Sequence, residues 1–193
     1  MSEFWFNIRL AFKHVLDLNA YDHILFFVLL TLAYNASHWK RVLTLVTIFT
    51  VGHTISMFLA SYNVVSVNRN LVELLILVTI LVTGIFNVLT ANKTPSSNRI
   101  NVLYVITLIF GIIHGLGFSS FFNMTRGSGS KFLSILGFSL GVEVAQILVV
   151  LIVFIISFIA LTVLRFSKRD WVLVVSSIVI GMIIPMLIAN KIW

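Results

Sequence analysis

Ionisable residues interrupt apolar runs long enough to cross a bilayer: Asp22, His23, His53, Glu73, His114 and Glu143 all sit among Leu, Ile, Val and Phe. A charge or imidazole is costly in hydrocarbon, so each must be partnered inside a bundle or belong to a site. The runs recur from end to end of a chain that is 60% hydrophobic and 10% charged, a composition that excludes an ordinary soluble domain. Several runs reach the roughly 20 residues that a spanning helix needs. None alternates in the manner of a lipid-facing barrel strand. The expected fold is all-α, a polytopic transmembrane helical bundle forming a single membrane domain over 1–193.

The net charge of +7 would suggest nucleic acid for a soluble protein. Here nearly all Lys and Arg fall in short connections between apolar runs, where they act as topology signals and headgroup anchors. The expected partners are membrane lipids and a metal ion, with a homo-oligomer as an option, and not nucleic acid. The chain has no cysteine, which leaves imidazole, carboxylate, hydroxyl and amide groups to do chemistry. Residues Met1 to Phe6 lack the basic, apolar, small-residue order of a signal peptide, and no lipidation motif follows.

Hydropathy predicts an amphipathic, interfacial helix over 4–17, carrying Arg9, Lys13 and His14. Six spans are expected after it, at about 21–37, 42–61, 71–91, 101–122, 132–164 and 171–190, the first short and the fifth long. Polar loops at 92–99 and 125–130 separate hairpins rather than domains. Six spans put both termini on one side. The odd-numbered loops then carry Lys40, Arg41, Lys93, Arg99, Arg165, Lys168 and Arg169, the even-numbered ones Arg69, Arg126 and Lys131. That asymmetry favours both termini outside, in what is expected to be a bacterial inner membrane.

Counting about 1.5 Å per residue from the span ends puts Asp22, His23 and Glu73 near the outer entrance, His53 and His114 in the outer half, and Glu143 near mid-membrane. Helical phase groups Thr50, His53 and Thr54 on one stripe, Glu73 with Asn87 on another, and Ser139, Glu143 and Gln146 on a third. Gly52, Gly111, Gly115, Gly137 and Gly141 flank these positions and permit close helix approach. One outward-opening polar pocket is the economical reading, although a lone His in a span can equally bond a neighbouring helix. His23, His53, His114, Asp22, Glu143 and His14 are the candidate metal ligands. Glu73, Asn87, Gln146, Thr50 and Ser139 are expected to line the pocket. Asp17 and Asp170 read as solvated charges at helix ends, and Phe118, Phe121 and Phe122 as residues that could line a site.

The motifs His14-Val-Leu-Asp-Leu-Asn-Ala-Tyr-Asp22-His23, Phe49-Thr-Val-Gly-His53-Thr, Val72-Glu73, His114-Gly-Leu-Gly-Phe118 and Leu140-Gly-Val-Glu143-Val-Ala-Gln146 together resemble the HupE/UreJ family of small membrane proteins. The likeness runs from about residue 10 to 150. It implies a secondary permease for nickel or cobalt whose His and acidic residues bind the ion within the membrane. The likeness to nickel/cobalt permeases at large is looser. Seven residues separate His14 from Asp22 where four are usual there, and Val15 stands where some relatives have Pro.

Two mechanisms suit such residues. In a permease, neutral imidazoles replace part of a divalent ion's hydration and a carboxylate balances its charge. Nickel or cobalt fits mixed nitrogen and oxygen ligands, and zinc would accept the same set. In an intramembrane zinc-dependent hydrolase, three His would hold the metal while an acid activates water towards a lipid or lipid-linked substrate.

Overall fold

The computed structural model describes residues 3–17, 21–66, 68–92, 97–125 and 129–189, with backbone alone at 97–100 and 120. The described residues are helical with no strand: α1 (Glu3–Val15), α2 (Asp22–Leu32), α3 (Trp39–Ser61), α4 (Arg69–Thr90), α5 (Ser97–Thr125), α6 (Lys131–Phe158) and α7 (Lys168–Ala189). Of the two expected loops, 93–96 and 126–128 lie outside the described residues.

Polar punctuation sets the helix ends. Asn68 caps α4 by accepting the Asn70 N–H at 2.9 Å, and Ser167 starts α7 by accepting the Asp170 N–H at 3.0 Å while sitting 2.7 Å from its carboxylate. Beyond α3 the chain turns through Asn63 at φ 58°, a left-handed position that Asn tolerates, and Val64 N–H reaches the Leu59 carbonyl at 2.9 Å. Lys131 donates to the Ser61 carbonyl at 2.6 Å, tying the start of α6 to the end of α3. After Phe158, α6 widens into a π-helical turn, Ile159–Val163.

Among the described residues five helices are long and apolar enough to cross a membrane: α3 with the turn before it, α4, the Asn101–Ser119 part of α5, α6 with its π-turn, and α7. The protein is an integral membrane protein and its architecture a polytopic helical bundle. Within the expected first span, 21–37, only α2 is α-helical. Its 11 residues rise about 16 Å, roughly half a bilayer core. The chain then turns through a short 3-10 helix, Ala36–His38, into α3.

Although short, α2 is the centre of the bundle. Phe26, Phe27, Leu29 and Leu30 are fully buried, and Thr31 and Leu32 nearly so, so the helix is covered on all sides by α4, α6 and α7 and by rings of α3 and α5. A helix apolar all round belongs in a core rather than on an interface. Asn87 of α4 donates to the Leu29 carbonyl at 2.7 Å, satisfying an acceptor in the last turn of α2.

Small residues fix the helix pairs. A Cβ on Gly111 would meet the Phe49 carbonyl and one on Gly115 the His53 carbonyl, so α3 and α5 touch backbone to backbone. Gly137 and Gly141 receive the backbone of α1 at Phe4 and Ile8 in the same way. One face of α1, Asn7, Ala11 and Val15, is buried there, while Trp5, Arg9 and Lys13 stay exposed. The amphipathic segment thus docks along α6. The rising register of both pairs makes α1 parallel to α6 and α3 parallel to α5. With α2 parallel to α4, α1 and α2 enter the bundle from the same face and in the same direction, interrupted between His14 and Asp22.

Candidate functional site

The interruption between α1 and α2 is where the ionisable residues gather. Asp22, in the first turn of α2, turns its carboxylate back on its own helix: Oδ1 accepts the His23 N–H at 2.8 Å and lies 3.1 Å from His23 Nδ1. The other oxygen, Oδ2, lies 3.4 Å from Nε2 of His114 on α5. Ligating atoms of Asp22, His23 and His114 all fall within 4.8 Å of one another. His23 is fully buried and His114 is 3% exposed, while Asp22 keeps 24% of its side chain open. Two sheltered imidazoles and a reachable carboxylate could hold a divalent transition-metal ion.

His14, on the last turn of α1, completes a row of rings, with centroids 4.7 Å from His23, which in turn stands 3.9 Å from His114. Phe118 packs on His14 at 4.1 Å. Nε2 of His14 and of His23 is buried and meets no hydrogen-bond partner among the described residues. Such atoms are rare in a finished core, and several in one place point to something they would bind.

A cavity of about 450 Å³ leads to this cluster from the face where α4 begins and α5 ends. Asp17, Glu73 and Arg69 line it above the imidazoles, with Arg69 Nε donating to Glu73 Oε1 at 2.8 Å. Below, Phe26, Phe49 and Phe110 close the floor: Phe26 stacks on Phe110 at 3.8 Å, Phe110 stands 4.4 Å from the His114 ring, and all three are fully buried.

The expected single pocket is therefore divided. Asp22, His23, His114 and His14 meet, and Glu73 stands at the rim. His53 is fully buried and does not join them: Phe49 and Phe138 each stack on it at 5.9 Å, and the Phe49 centroid lies 6.0 Å from His23 and 5.8 Å from His114. Glu143 does not join the cluster, since its phase on α6 turns it to α3, where it accepts from Thr47 Oγ1 at 2.8 Å. Gln146 lies against Thr50 at 3.3 Å and Ser139 against Thr54 at 2.7 Å. Asn87 is spent on the far end of α2.

Sequence reasoning missed Asp17 and Arg69 as cavity residues. Asp17 falls in the stretch between the helices carrying His14 and Asp22, and that position was the available signal.

The family model described as HupE / UreJ protein matches residues 1–191, nearly the whole chain. No curated protein and no solved structure matches it.

Proposed function

The chain belongs to the HupE/UreJ family, and from that membership we propose that it is a permease for a divalent transition-metal ion, nickel or cobalt first. The observation that carries the reading is the meeting of Asp22, His23 and His114 at the bottom of a cavity open to one face. Imidazole nitrogens take the place of the ion's hydration, and the Asp22 carboxylate offsets part of its charge. His14 lies close enough to add a further nitrogen. Asp17 and Glu73 draw cations to the mouth, and the Arg69 pair moderates that field.

The cavity face is assigned to the outside. The opposite face carries Lys40, Arg41, Arg165, Lys168 and Arg169 against Arg69 and Lys131 beside the cavity, with Arg9 and Lys13 of the amphipathic α1 set apart from the count, and on the positive-inside rule that face is assigned as cytoplasmic and both chain ends as external. The membrane is assigned as a bacterial inner membrane.

A second reading, a zinc-dependent hydrolase of a lipid-linked substrate, draws on the Phe26, Phe49 and Phe110 floor, which leaves one opening. One experiment separates the two. Purified protein is analysed for bound metal and then sealed in liposomes with nickel, cobalt or zinc outside. A permease accumulates the ion inside, and His114→Ala does not. Tightly held zinc with no accumulation would sink the permease reading and favour the hydrolase.

A further inference from the structure

A polar seam descends from the level of the His/Asp cluster along the contact between α3 and α6. Its rungs are Thr54 with Ser139 at 2.7 Å, Thr50 with Gln146 at 3.3 Å and Thr47 with Glu143 at 2.8 Å. On α3 they recur every three to four residues, but on the antiparallel α6 Glu143 precedes Gln146, so the two lower rungs cross at about one depth, below the Thr54–Ser139 rung as seen from the cavity face. At its top stands His53, fully buried, with neither ring nitrogen hydrogen-bonded among the described residues. The Phe49 ring contacts His53, His23 and His114 alike, with centroids 5.9, 6.0 and 5.8 Å away. At the level of the two lower rungs Glu143 is partly exposed on the side of the bundle.

Interhelical glue alone accounts poorly for this layout. A lone Ser or Thr pair would hold two helices, whereas an imidazole with two unpartnered nitrogens adds cost and no cohesion. We infer that the α3–α6 seam continues the ion's path from the outer cluster to mid-membrane, with His53 taking the ion from that cluster, hydroxyl and amide oxygens passing it on, and Glu143 receiving it. The inference rests on the permease reading above.

The fold supplies the moving parts. α3 is locked to α5, and α1 to α6, by glycines at backbone contact. Between these two rigid pairs the seam is held by side-chain hydrogen bonds, which are weak between membrane helices. Rocking one pair against the other would part the seam and lift the Phe138 ring of α6, stacked 5.9 Å from His53, off that imidazole.

The absence of cysteine makes a direct test available. Thr54→Cys/Ser139→Cys places two thiols where hydroxyl oxygens now lie 2.7 Å apart, for oxidation to a disulfide across the seam. Nickel binding is measured in detergent and nickel uptake in liposomes. The oxidised variant should bind within twofold of wild type and lose at least tenfold of its uptake, recovered with dithiothreitol. Thr50→Val/Gln146→Leu, which removes a rung without any cross-link, should likewise bind normally and transport at least tenfold more slowly. Normal uptake by the polar-to-apolar variant, or by a fully oxidised disulfide variant, overturns the inference. Loss of binding in the polar-to-apolar variant also overturns it, by making the seam a scaffold of the outer site. Wild type that binds but accumulates no nickel, or neither binds nor accumulates it, defeats the permease reading itself.

Discussion

Asp22 Oδ2 on α2 lies 3.4 Å from Nε2 of His114 on α5, bringing together residues from different helices through a carboxylate whose other oxygen is held by His23. Replacing Asp22 with Asn keeps the shape and removes the charge. Metal affinity should fall by at least about 100-fold, the upper range for loss of groups that merely support a ligand. Equilibrium binding to the purified variant, with circular dichroism to show that it remains folded, checks this. Affinity within threefold of wild type would remove Asp22 from the site.

Glu143 gives the sharpest contrast, because residue type alone makes it a ligand while its position makes it a partner of Thr47. Glu143→Gln should leave nickel affinity within about twofold and reduce uptake. A large loss of binding would show that the helix phase seen here does not describe the loaded protein.

How far the sequence reached is clear from these two acids. Intramembrane polarity marked Asp22, His23 and His114, and helical phase grouped Thr50 with His53, and Ser139 with Gln146. Those two faces do meet, but against each other rather than around the cavity. Phase tells which residues share a face; which faces meet is settled by backbone contacts such as Gly111 on Phe49. Hydropathy likewise registered α2 as a span because it is apolar all round. The same property suits a core helix, and only its length separates the two cases.

His53 separates function from stability. Its burial without hydrogen-bond partners is a cost, so His53→Leu should leave stability unchanged or raise it by up to about 3 kcal/mol. Metal binding should persist while uptake is lost. A thermal melt read beside both assays checks this, and a marked drop in Tm would assign His53 a structural role.

Gly115→Ala tests the locked pair. The added methyl would press on the His53 carbonyl and the Ser56 hydroxyl. Overpacking of this kind costs about 1–3 kcal/mol. The melting temperature should fall. An unchanged melt would mean that α3 and α5 have room to separate.

Because α2 is half the length of a spanning helix, it cannot settle across a bilayer by itself as it leaves the ribosome. Its resting place exists only once α4, α6 and α7 have closed around it, and Tyr21 beside its first turn reaches Met186 of α7 at 3.5 Å. The cluster at its head is then a late product of biogenesis, and a chain stopped before α7 would forfeit its metal site although α7 donates no ligand to it.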